Sequence, residues 1–126
     1  MKEEILIFKK RAEAFEEEAK EDFKKGKFDL AAFHIEQSFQ LYLKYILAKE
    51  IGYFPKTHSL EKLFSELSKI NEKFWKFYKE NEIILKDIED AYILARYFPR
   101  KYSKEEVEEM VKVLEKFKEE FKEWLT

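Results

Sequence analysis

Apolar residues recur at steps of three and four along most of the chain, the spacing that stacks side chains on one face of a helix. In the first segment Ile5, Phe8, Ala12, Phe15, Ala19 and Phe23 share such a face, and Gly26 is placed to end it. Asp29 is positioned to cap a second helix, whose face reads Ala32, Ile35, Phe39, Tyr42 and Ile46. Phe33, Leu41, Leu43, Tyr45 and Leu47 widen that face, which predicts a central or oligomeric helix. Gly52 and Pro55 mark a connection, after which Ser59 caps a shorter helix carrying Leu60, Leu63, Phe64, Leu67 and Ile70. Residues 71–79, with Phe74, Trp75, Phe77 and Tyr78, lack a clean period and fit either a short helix or a packed connection. Another long helix carries Ile84, Ile88, Ala91, Tyr92 and Ala95, and Pro99 ends it by removing a donor. Ser103 and Glu106 then form a capping box for a last helix striped with Val107, Met110, Leu114, Phe117, Phe121 and Trp124.

No strand-like alternation competes with this pattern and no internal repeat interrupts it. The expected fold is all-α, an antiparallel up-and-down bundle of about five helices. At 126 residues the chain holds one apolar core, so residues 1–126 form a single domain. With two Gly, two Pro, no Cys and 41% charged residues, disulfide-stapled, collagen-like and low-complexity classes fall away. Aromatic residues make up 17% of the chain, and two helices are broader in their apolar face than a lone bundle requires. A homodimer is therefore expected. Lys and Glu dominate the charges, the composition of a heat-adapted protein whose surface carries ion-pair networks. The formal net charge of −2 gives no overall basic field for nucleic acid, although a local patch remains open. No apolar run is long enough to span a membrane, and Met1 to Lys10 lack a signal-peptide cleavage site, so a cytoplasmic location is expected.

Candidate chemistry is sparse. Without Cys there is neither thiolate catalysis nor a thiolate metal site, and two histidines, His34 and His58, cannot hold a metal alone. A carboxylate such as Glu36 could join them, but on so acidic a surface its nearness carries little weight, and neither metal nor cofactor is expected. Glu16, Glu17 and Glu18 fall on the polar face of the first helix, where solvation leaves them ordinary. His58 stands where the third helix begins, so its ring either packs under the connection or faces a ligand. The unusual stretch is Arg96, Tyr97, Phe98, Pro99, Arg100, Lys101 and Tyr102, which gathers two of the three arginines with four rings or ring-bearing neighbours. Guanidinium forks suit phosphate, and Tyr rings offer stacking platforms. The alternative is structural: Arg96 pairs with a buried acid or caps helix carbonyls while the rings complete the core.

Two stretches together resemble the HEPN family of small helical nucleotide-binding domains. One runs from Asp29, Ala31 and Ala32 through Glu36, Gln37, Ser38, Phe39, Gln40, Leu41, Tyr42, Leu43 and Lys44 to Thr57, His58, Ser59 and Leu60. The other is Tyr92 with Ala95, Arg96 and Tyr97, similar to the family's Ala-Arg-Tyr-Pro signature. The resemblance implies a bundle of four to five helices, usually dimeric, often encoded beside a minimal nucleotidyltransferase in toxin–antitoxin pairs. It also implies nucleotide or RNA binding. Catalytic members of the wider superfamily cleave RNA with an Arg followed by four to six residues and a His. After Arg96 those positions hold Lys101, Tyr102 and Ser103, and neither Arg11 nor Arg100 has a His at that spacing. The family's usual Glu in the second helix is Gln40, and Phe98 separates Tyr97 from Pro99.

These features give a non-catalytic module that binds a nucleotide or RNA phosphate through Arg96, Arg100 and Lys101, with Tyr97 or Tyr102 stacking. His58 and Lys44 join the set from the first stretch, and a minimal nucleotidyltransferase is the expected partner. Two alternatives stand: a metal-independent ribonuclease in which Lys101 or His58 replaces the missing His, and a purely structural interaction partner.

Overall fold

The computed structural model describes residues 2–98 and 100–126. Among them the chain forms a helical bundle of six α-helices and a closing 3-10 turn, with no strand. The helices are α1 (Glu3–Lys24), α2 (Phe28–Ile51), α3 (Leu60–Ser68), α4 (Lys73–Glu80), α5 (Glu82–Tyr97) and α6 (Lys104–Glu120). The 3-10 turn spans Lys122–Leu125.

One helix more than expected appears because residues 71–79 are mostly α4. Its period is hidden by its brevity: Phe74, Phe77 and Tyr78 stand at steps of three and four and are buried, while Trp75 lies half-buried beside them. The break from α3 is shaped by Asn71, whose Oδ1 accepts the Lys73 N–H at 2.9 Å.

The ends of the other helices follow local rules with one exception. Gly26 and Gly52 adopt positive φ, 73° and 83°, and turn the chain out of α1 and α2. Ser59 accepts the Lys62 N–H, and Ser103 and Glu106 form the reciprocal capping box of α6. Asp29 is not the cap of α2; Lys27 holds that position, and Asp29 lies inside the first turn. Its carboxylate instead accepts the Tyr102 N–H at 2.8 Å, fastening the segment before α6 to the start of α2. The expected stop at Pro99 lies outside the described residues; α5 ends at Tyr97 and Phe98 is extended.

The broad apolar face of α2 has a direct explanation. This helix packs against α1, α3, α5 and α6, so thirteen of its residues are buried. At the end formed by α4, α6 and the 3-10 turn, rings fill the core. Phe117 touches Phe39, Phe64, Phe74, Phe77 and Phe121 at centroid separations of 5.0–6.5 Å. Both tryptophans belong to this end: Trp75 stacks on Tyr78 and Trp124 meets Phe74 edge-on. The stripe of α6 runs past the helix, since Phe121 stays buried where the chain tightens into the 3-10 turn.

Glu16 departs from its expected place on a solvated face: it is 6% exposed. Its carboxylate accepts from Tyr42 Oη and Lys118 Nζ, both at 2.8 Å, and Lys20 lies at 3.4 Å. Burial alone would raise its pKa, but the bonds from Lys118 and Tyr42 and the two ammonium charges hold it below the ordinary carboxylate value. Among the described residues no helix is long and apolar enough to cross a membrane.

Candidate functional site

A polar ladder runs along one side of α2. Glu36, Gln40 and Lys44 are spaced four apart and so share a face. That face looks onto the start of α3, where Gly52 and the bends after it bring back His58, and onto α5. Glu36 is fully buried and Gln40 is 4% exposed. Gln40 Nε2 donates to Glu36 Oε2 and stands 3.2 Å from His58 Nδ1, while Gln37 donates to the other Glu36 oxygen at 2.7 Å. Burial pushes the Glu36 carboxyl up to about 7, against the two amide bonds and the Lys44 charge, with Glu89 adding to the rise.

His58 lies at the mouth of this ladder. Its ring stacks on Tyr92 with centroids 3.9 Å apart and planes 25° apart. Contact with that ring removes water from it, and Lys44 and Arg96 add positive charge, so its pKa falls below the usual histidine value. Glu89 sits beside it and accepts the Leu60 N–H at 2.6 Å, serving the start of α3. His58, Ser59, Glu89, Asp90, Tyr92 and Ile93 line an open cleft.

Arg96 is one turn beyond Tyr92 on α5. Its guanidinium lies over Phe33, Tyr92 and Tyr97 at 4.8, 4.6 and 4.7 Å, and its Nε donates to the Tyr92 carbonyl at 2.8 Å. Among the described residues it has no carboxylate at ion-pair distance. That carbonyl lies inside α5 rather than among the last ones the helix leaves open, and the other two guanidinium nitrogens lie over the aromatic collar.

The arginine–tyrosine stretch divides. Arg96 and Tyr97 are exposed, Tyr97 at 68%. Arg100 turns inward, bonding Glu106 at 2.7 Å and Asp87 at 3.2 Å, and its guanidinium lies 3.7 Å over the Tyr102 ring. Tyr102 is 4% exposed, and burial pushes its hydroxyl up to about 12. Both residues lock the connection between α5 and α6, so Tyr102 offers no open face for a base. Lys101 is exposed at the start of α2, where it lines a shallow recess with Lys27 and Asp29. Lys44 is half-buried, with Nζ 5.4 Å over the Phe54 ring, and its pKa is lowered by burial against the pull of Glu36.

The sequence pointed to His58, Lys44, Arg96 and Tyr97 as site residues; it named Glu36, Gln40 and Tyr92 in the family-like stretches without assigning them to the site, and Phe33 only as part of the apolar face of α2. The missed signal was periodicity of polar residues. A Glu-Gln-Lys series at steps of four on a helix otherwise buried all round has to face a polar partner. His34 is elsewhere, with Nδ1 2.6 Å from Asp22 and its ring stacked on Phe15. Among the described residues no three metal-ligating side chains converge.

The model of the HEPN domain family matches residues 5–124, nearly the full length. Neither a curated protein nor a solved structure matches the chain.

Proposed function

Because the chain belongs to the HEPN domain family, a nucleotide- or RNA-related function is the premise, and we propose that it is a non-catalytic module binding the phosphate of a nucleotide or RNA at the His58–Arg96 cleft. The observation that carries this reading is the contrast between the two arginines. Arg100 is held by two carboxylates, whereas Arg96 has none among the described residues and is kept at the surface by three rings. A guanidinium with free donors, a neighbouring imidazole and the exposed Tyr97 ring supply the charge, the hydrogen bonds and the stacking surface a nucleotide uses. Lys44 and Lys101 add longer-range positive charge, while Arg100 and Tyr102 act on the site by fixing the segment that follows Arg96.

Isothermal titration with ATP, GTP and a short RNA tests it. Saturable binding is expected, and Arg96→Ala weakens it about tenfold or more, the weight of a charge-assisted hydrogen bond. Silence across the panel at millimolar ligand overturns the reading. His58 beside Arg96 also supports the ribonuclease alternative, since together they pair a cation with an imidazole; RNA cleavage abolished by Arg96→Ala would replace the binding module with that enzyme.

A homodimer remains part of this proposal. Leu30, Ile93, Tyr97 and Phe98 are 43–68% exposed, and the Arg96–Phe33 contact shows that the α2 start and α5 end lie side by side. Sedimentation is expected to give a dimer that Ile93→Lys splits; a monomeric native chain overturns it. The minimal nucleotidyltransferase partner and the toxin–antitoxin setting rest on the family resemblance.

A further inference from the structure

The Gln40 amide is wired so that two titrating groups cannot change charge independently. Its Nε2 faces three acceptors: Glu36 Oε2, the His58 carbonyl at 3.5 Å and His58 Nδ1 at 3.2 Å. An amide nitrogen only donates, so Nδ1 presents its lone pair and the neutral imidazole carries its proton on Nε2. A doubly protonated His58 would set an Nδ1–H against the amide N–H₂. The contact is restored only if the amide turns over and offers Oε1. That oxygen then also meets Glu36, which is fully buried and must be protonated to donate to it rather than repel it. Two arrangements pair both titrating groups through the amide: ionised Glu36 with neutral His58, or protonated Glu36 with cationic His58, the second giving up the long 3.5 Å contact to the His58 carbonyl.

A phosphate in the cleft favours the cation, because it adds negative charge beside an imidazole otherwise faced by Lys44 and Arg96. Glu89 and Asp90 on α5 also line the cleft, and Lys44 and Glu89 are the charges facing Glu36. We propose that anion binding in the His58–Arg96 cleft drives proton uptake by both His58 and Glu36, coupled through a turn of the Gln40 amide. This rests on the binding reading above and adds its regulation: ligand is held more tightly as pH falls towards 6 and released as it rises.

The test is calorimetric titration of the native chain with a short oligouridine lacking terminal phosphates, a ligand with no group of its own titrating near neutrality. Heats are compared at pH 7.5 in buffers of different ionisation enthalpy, and affinities from pH 6 to 8. Between one and two protons are expected to enter per ligand, with an affinity loss of about tenfold or more across that range. Glu36→Gln still binds but takes up about one proton fewer. Binding with the same heat in every buffer overturns the coupling and leaves the binding reading intact; no saturable heat in any buffer overturns both. Equal uptake in Glu36→Gln removes Glu36 from the relay and overturns the coupling as stated. Since the chain has two histidines, ring-nitrogen NMR of the unliganded native protein provides a check independent of any variant. An Nε2–H tautomer is expected for His58, and an Nδ1–H tautomer overturns the proposal.

Discussion

Phe117→Ala lowers the unfolding free energy by about 3–5 kcal/mol, the cost of an emptied aromatic site in a core that can only partly collapse. Phe117 is fully buried and stands among five other rings contributed by α2, α3, α4 and the end of α6. These neighbours hold one another in stacked and edge-to-face pairs, so a ring that moved into the space would lose its own contacts. The fall is read by urea denaturation. A loss below about 1 kcal/mol would mean that the rings repack freely and that the aromatic end is more plastic than its geometry implies.

Glu36→Gln produces a stability change that depends on pH, with a sign opposite to that of most carboxylates. An unfolded Glu has a pKa near 4.5, whereas in the fold burial raises Glu36 to about 7. Below the lower value both states hold the proton and the group contributes nothing. As pH rises the unfolded chain releases its proton first, so folding is increasingly disfavoured until pH passes the higher value. The variant lacks this penalty, so its stability relative to the native chain increases by about 3 kcal/mol between pH 4.5 and 8. Denaturant melts of both proteins at the two pH values measure it. A pH-independent difference would show that Glu36 titrates as an exposed carboxylate does. Glu16 acts in the usual direction: its lowered pKa stabilises the fold above the unfolded value and that contribution fades as acid protonates it.

Local signals in the sequence were sufficient wherever a feature depends on residues a few positions apart. The Ser59 cap, the Ser103–Glu106 box, the exits at Gly26 and Gly52 and the stripes of α1, α2 and α6 all belong to that class. What escaped depends on distant partners. Glu16 reads as solvated because α1 periodicity contains no trace of Lys118, 102 residues later, or of Tyr42. Asp29 has the look of a cap, yet its carboxylate serves Tyr102, 73 residues away. Arg96 and Arg100 are near neighbours in sequence, but α5 ends at Tyr97 and Phe98 is extended, so Arg100 no longer follows the helical face. It reaches Asp87 and Glu106 instead. Within the candidate site, His58, Lys44, Arg96 and Tyr97 were legible as individual residues, while their joining through Gln40, Tyr92 and Phe33 needed the fold to bring His58 back against α2 and α5.

The confinement of Trp75 and Trp124 to one end of the bundle determines what light can report about this protein. Excitation selective for indole follows the rings around Phe74 and Tyr78, and hence the integrity of α4 and the closing turn. Among the described residues, the His58–Arg96 cleft holds tyrosine chromophores, Tyr92 and Tyr97, and no indole. A ligand there is therefore spectrally silent in indole emission unless the whole core responds. A tryptophan placed at Tyr97 would give the cleft its own signal.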